Sequence, residues 1–254
     1  MIRAFYSGMR IHLVHLLRSP FDMFAMLVWP IVYATIAYYL IGTDGNPKVL
    51  FTASLGAAVM IMWSQVIVGS GFALDQQRMQ GTLELLVAAP VPMPVILLPI
   101  TVAMATIGLL SMVVTLLWGR FLFGIDVNVV HPVLFLVAVP VTVVSVGAVG
   151  FLLSVTVVRY RSAWALGSAL ELPVWLVAGF LVPIGILPDW VRPLSWLLAP
   201  TWGVRAIREA ALGGNPVPEI GLCLLVGAGY LALGVLAAES VLQSARRHAT
   251  LALS

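Results

Sequence analysis

Six stretches of this chain are long, apolar and almost free of charge: Phe21 to Ile41, Leu50 to Leu74, Pro94 to Leu117, Pro132 to Val158, Ser162 to Leu187 and Ile220 to Val241. An α-helix needs about 20 apolar residues to cross a hydrocarbon core of about 30 Å, and each stretch reaches that length. Of 254 residues, 61% are hydrophobic and 9% charged, with a mean hydropathy of +1.08, whereas soluble domains carry about 25% charged residues. The sequence therefore predicts an all-α integral membrane protein, with six transmembrane helices in one domain over residues 1–254.

Six crossings put both termini on one side, and the basic residues choose the side. Lys and Arg in short flanking loops are retained in the cytoplasm. With the N-terminus inside, the inner segments hold Arg3, Arg10, Arg18, Arg78, Arg159, Arg161, Arg246 and Arg247, while the two short outer loops hold Lys48 and Arg120. Arg192, Arg205 and Arg208 follow the fifth crossing on the outside, without reversing the bias. Trp118, Trp190, Trp196 and Trp202 fall at the outer boundary and Trp164 at the inner one, as an interfacial aromatic belt requires. The net charge of +3 thus reads as membrane orientation and not as nucleic-acid binding. Cys223 is the sole cysteine, so neither an intrachain disulfide nor a cysteine metal cluster is available. The N-terminus lacks an uninterrupted apolar core before a small-residue cleavage site and does not read as a removable signal peptide.

Residues 1–19 read as an amphipathic helix on the membrane surface: Ile2, Phe5, Tyr6, Met9, Leu13, Leu16 and Leu17 share one face, with Arg3, Ser7, Arg10 and Arg18 opposite. The alternative is a basic tail. Ser19, Pro20 and Asp22 then give an N-cap, a first-turn proline and an acidic third position for a new helix. Pro183, Pro188, Pro193 and Pro200 break up residues 183–214, leaving pieces too short to cross. Non-helical backbone at membrane depth survives only beside protein or a wet cavity, so this region reads as short re-entrant helices on the outer side, or else as an external loop with one surface helix.

Catalytic signatures are missing. Val68-Gly69-Ser70-Gly71 lacks the first glycine of a GxSG serine-hydrolase motif, and no histidine lies within a crossing. His12, His15, His131 and His248 have no metal-gathering spacing. Lys48, the only lysine, follows a turn and not a phosphate-binding GxxxxGK[ST] loop. Glu171 is the one ionisable residue near the middle of a crossing, where a charge costs on the order of 3 kcal/mol. It is either a polar contact for a cationic or hydroxylated substrate or a structural tie between helices. On the second crossing, Ser54, Gln65 and Gly69 lie within about 60° in helical projection, next to Trp63 and Ser64; this strip lines a path or supplies interhelical packing. Ser54, Trp63, Gln65 and Glu171 are the candidate path residues.

The segment 75–92, DQQRMQGTLELLVAAPVP, is an island of charge, glycine and proline between the second and third crossings, on the cytoplasmic side by the charge count. Thr82 can cap a short helix, Glu84 suits its positive N-terminal end, and Pro90 and Pro92 stop it. Such a helix serves either as a docking surface for a cytoplasmic partner or as an interfacial turn. QGTLELLVAAPVP resembles the G-T-L-E-x-L-x-x-x-P signature of the ATP-binding-cassette type-2 permease family, with Gly81, Thr82, Leu83, Glu84, Leu86 and Pro90 at the matching positions. The N-terminal amphipathic helix, Pro30 within the first crossing and the Leu187 to Gly213 region are similar too. Gln76, Gln77 and Gln80 stand where many members carry charge.

The resemblance implies a bacterial plasma-membrane exporter subunit whose segment 75–92 is a coupling helix docking onto a cytoplasmic ABC ATPase present in two copies. It also implies a second permease chain, identical or related. ATP and Mg would be bound by the ATPase, leaving this chain without catalytic residues or metal. The same resemblance makes Pro183, Pro188, Trp190 and Pro200 candidates for an external gate. Few polar groups line the crossings, which favours a hydrophobic or amphiphilic drug or lipid as substrate. The alternatives are a lipid-linked oligosaccharide or polysaccharide, and, outside transport, a membrane scaffold or enzyme working without an ATPase.

Overall fold

The computed structural model describes residues 2–41, 47–82, 91–160, 163–181, 184–186 and 188–248, and every regular element among them is helical. Helix α1 (Ile2–Arg18) is separated from α2 (Pro20–Ile41) by Ser19 alone. The Ser19 carbonyl accepts from Met23 N–H at 3.0 Å. Proline serves at a first turn because its missing N–H has no intrahelical partner there, and this device starts α4 (Met93–Phe123) and α5 (Pro132–Arg159) as well as α2. Helix α3 (Pro47–Met79) precedes them; α6 (Ala163–Val177), a 3-10 turn (Ile184–Ile186), α7 (Arg192–Leu197), α8 (Ala199–Leu212) and α9 (Val217–His248) follow.

Among the described residues, four stretches are long and apolar enough to cross a membrane: Lys48–Met79, Met93–Phe123, Pro132–Arg159 and Val217–Val241. Met23–Tyr39 and Gly167–Val177 are shorter apolar stretches on α2 and α6. The fifth apolar run was expected to extend to Leu187, but its helix ends ten residues earlier, at Val177. Gly179 takes φ 76°, and the N–H groups of Gly179 and Phe180 return to the carbonyls of Leu176 and Trp175. A glycine in the left-handed region closes a helix at little steric cost, which an L side chain would not.

Helix α3 forms the centre, packed by α2, α4, α5, α6 and α8. One core cluster gathers Leu55, Met62, Trp63, Phe180, Val204 and Ile207; the other joins Leu74, Leu97, Phe151, Val155 and Val158 to the far end of α9. Helix α9 is peripheral and packs mainly on α5 and α8. It exposes Leu224, Leu225, Leu233 and Leu236, an apolar surface that lipid accommodates and water does not. Helices α7 and α8 are too short to cross, but α8 buries Val204, Ala206, Ile207, Ala210 and Ala211. The α8 end is joined directly to the α5 start, where Val130 and His131 N–H donate to the carbonyls of Ala211 and Ala210 at 3.1 and 3.0 Å.

On α1, Leu13 and Leu16 pack on the second cluster, while Tyr6, expected on the apolar face, is 63% exposed. A phenol at the edge of an amphipathic stripe suits a wet boundary because its hydroxyl keeps a polar end in contact with water.

Candidate functional site

A cleft of about 660 Å³ opens between α1, α2 and α3, closed behind by Met104 and Ile107 of α4 and by Glu171 of α6. Its longest wall is a row on α3 and the turn that follows it: Ser64, Gln65, Gly69, Phe72, Gln76 and Gln80. From Gln65 onward, steps of three and four residues keep the row on one helix face, and fifteen residues from Gln65 to Gln80 span about 22 Å. Polar groups thus mark both ends of the cleft along α3, Ser64 and Gln65 at one and Gln76, Gln77 and Gln80 at the other, where the helix ends at Met79 two residues before the exposed Gly81 with φ 69°. Ile11, His12 and Leu16 of α1 and Ala25 and Met26 of α2 form the facing side.

At the end remote from Gly81, the Ser64 hydroxyl donates to Glu171 Oε1, bridging α3 and α6. Two aromatic rings of α2 line the same end: Trp29 and Tyr33, one helical turn apart, with centroids 5.9 Å apart. Tyr33 in turn meets Trp175 edge-on at 5.3 Å, one turn beyond Glu171.

The four path candidates separate. Gln65 and Glu171 line the cleft. Ser54 is buried, its hydroxyl donating to Phe51 O at 2.8 Å, and Trp63 is 2% exposed within the first core cluster. Ser54 and Trp63 lie on the half of α3 that is enclosed all round, so they face protein and not the cleft.

At the coupling end, the Thr82 hydroxyl reaches the Gln77 carbonyl at 3.0 Å and Gln77 Oε1 at 2.5 Å, folding back on the last turn of α3. Leu83, Glu84, Leu86 and Pro90 lie outside the described residues. Arg78 anchors this end: Nη2 donates to both Val157 O and Val158 O at 2.9 Å. A guanidinium there satisfies carbonyls that have no intrahelical donor and complements the negative end of the α5 dipole.

Of the gate candidates, Pro183 lies outside the described residues. Pro188 and Trp190 are exposed, Trp190 at 72%, whereas Pro200 is buried at the start of α8. The Trp202 indole N–H donates to Trp196 O at 2.9 Å and Tyr230 OH to Leu197 O at 3.0 Å, tying α7 and α8 to each other and to α9. Arg208 donates from Nη1 to Gly179 O at 2.7 Å and from Nη2 to Phe180 O, capping α6. A cavity of about 320 Å³ beside it is bordered by Arg192, Arg205 and Trp196. Among the described residues, no group of three or more His, Cys, Asp or Glu is placed to hold a metal.

Residues 3–212 match the family model of the ABC-2 type transporter. The chain belongs to that family. It is therefore an ABC permease, a multi-pass membrane protein of a kind that partners an ABC ATPase. Comparison with curated proteins returns no match. In this ABC-2 type transporter chain, sequence reasoning missed Trp29, Tyr33 and the capping roles of Arg78 and Arg208. An aromatic pair at i, i+4 on the first crossing and glutamines at helical spacing on the second were the available signals.

Proposed function

We propose that this chain is the permease subunit of an ATP-driven exporter in a bacterial plasma membrane. It moves hydrophobic or amphiphilic molecules, drugs or lipids, out of the cytoplasm or inner leaflet by alternating access. In this reading α2, α3, α4, α5, α6 and α9 cross the membrane, both termini are cytoplasmic, and α7 and α8 are re-entrant at the outer gate. A second permease chain and two ATPase subunits complete the transporter. ATP and Mg belong to the ATPase, and this chain has no catalytic residue of its own.

The observation that carries the reading is the cleft's course: one helix, α3, both lines it, with Ser64, Gln65 and Gln76, and runs into the coupling segment 75–92 before ending at Met79. Displacement of that segment by closing ATPase subunits moves α3 as a rigid element, because Arg78 fastens its end to α5. Glu84→Lys reverses the charge offered to the ATPase and lowers substrate-stimulated ATP turnover about tenfold or more in the assembled complex, since like charges across an interface are strongly disfavoured. Unaltered stimulation would remove the coupling role.

A further inference from the structure

The chemistry of the cleft specifies its occupant more narrowly. We infer that it binds organic cations with substantial apolar bulk, the cationic centre resting between Glu171 and the rings of Trp29 and Tyr33; this inference rests on the exporter reading for its place in transport.

Three observations converge. First, Glu171 is the only Asp or Glu among the described lining residues, and neither Lys nor Arg accompanies it. Its one described hydrogen bond comes from the Ser64 hydroxyl, and no ion pair includes it among the described residues. A carboxylate at that depth favours a positive partner, and among the described lining residues the only basic side chain is His12, on α1. Second, Trp29 is 51% exposed, although it borders the cleft. Indole and phenol faces attract cations within about 6 Å of the ring centroid, and the attraction grows as water is removed. Third, Met26, Val68, Met104 and Ile107 surround this end with apolar surface, and the volume of about 660 Å³ suits a drug-sized molecule, for which sites run from about 300 to 1,000 Å³. A carboxylate, aromatic faces and apolar walls together select a cation whose charge is buried in hydrocarbon.

The competing role for Glu171 is a clasp holding α6 to α3. Glu171→Gln separates the two, because a glutamine carbonyl still accepts from Ser64 while the anionic charge is gone. The probes are tetraphenylphosphonium and its isosteric anion tetraphenylborate, measured by equilibrium binding to the intact complex in lipid nanodiscs. The natural chain is expected to prefer the phosphonium. Glu171→Gln should weaken phosphonium binding about tenfold and leave tetraphenylborate unchanged or tighter, and Trp29→Leu should weaken phosphonium about threefold. Equal binding of the two ions to the natural chain, or phosphonium binding indifferent to both substitutions, would overturn the inference. ATP hydrolysis in the same nanodiscs keeps the two claims apart. Phosphonium binding that depends on Glu171 without any response of hydrolysis supports the cation site and removes the exporter reading. Hydrolysis stimulated by neutral amphiphiles, with phosphonium binding independent of Glu171, removes the cation site and leaves the exporter reading.

Discussion

Arg208 places its guanidinium against the end of α6, where Gly179 and Phe180 present carbonyls that no helix N–H can reach. Gly56 of α3 makes room for this arrangement, because a Cβ there would collide with the Phe180 carbonyl and the Arg208 guanidinium. Arg208→Met removes two charge-assisted hydrogen bonds and leaves buried carbonyls unsatisfied, a loss of about 3 kcal/mol. Thermal unfolding of the purified complex is expected to show a clear drop in Tm, partly restored by Arg208→Lys; an unchanged Tm would refute the capping role. In the sequence Arg208 counted only as an outer positive residue, since its burial depends on α3, α6 and α8 meeting. The same limit explains Trp63 and Trp29. The first crossing is apolar around almost its whole circumference and the second is so apart from a narrow polar strip, so periodicity says little about which tryptophan faces the core and which the cleft. Glu171 was legible for the opposite reason: a lone carboxylate in an apolar run needs a polar neighbour or an aqueous path wherever the helix packs.

Helix α9 illustrates what a uniformly apolar element conceals. Its buried positions Cys223, Gly227, Gly234, Ala238 and Val241 recur at three-, four- and seven-residue intervals and form a narrow seam against α5. Small residues let the backbones approach, as membrane helices require when lipid is as apolar as leucine. Ser145 Oγ donates to Cys223 O at 3.0 Å across this seam. A Cβ at Gly227 would stand 2.9 Å from Ser145 Cα, and one at Gly234 would stand 2.6 Å from Phe151 Cδ1. Gly229, on the same helix, has open space where its Cβ would be. Gly227→Leu should therefore cost about 1–3 kcal/mol through overpacking and lower the yield of monodisperse complex, while Gly229→Leu should be tolerated. Size-exclusion chromatography of the two variants side by side checks this, and equal profiles would contradict the seam. Composition predicted that α9 would exist; only the packed partner reveals the face on which its small residues matter. The shortened α6 has a similar origin, because an apolar run measures what lipid tolerates, whereas Gly179 decides where the helix stops.

At the scale of the whole transporter, fold class and family were legible from the sequence because hydropathy and the GTLE segment are local signals. The cleft was not, because α1, α2, α3, α4 and α6 create it jointly. Its extension along α3 to Gln76 and Gln77, within segment 75–92, links the proposed substrate site to the proposed motor contact through one helix, and that link is the central claim. Gln80 tests it, being exposed just past the end of α3 and within the coupling segment 75–92, in a chain whose sole cysteine, Cys223, is fully buried. A Gln80→Cys variant treated with a membrane-impermeant maleimide, in inside-out and right-side-out vesicles with and without the bound ATPase subunit, gives the most direct measurement. The account predicts labelling only in inside-out vesicles, with protection when the ATPase is bound; labelling from the outer side, or labelling indifferent to the ATPase, would contradict it.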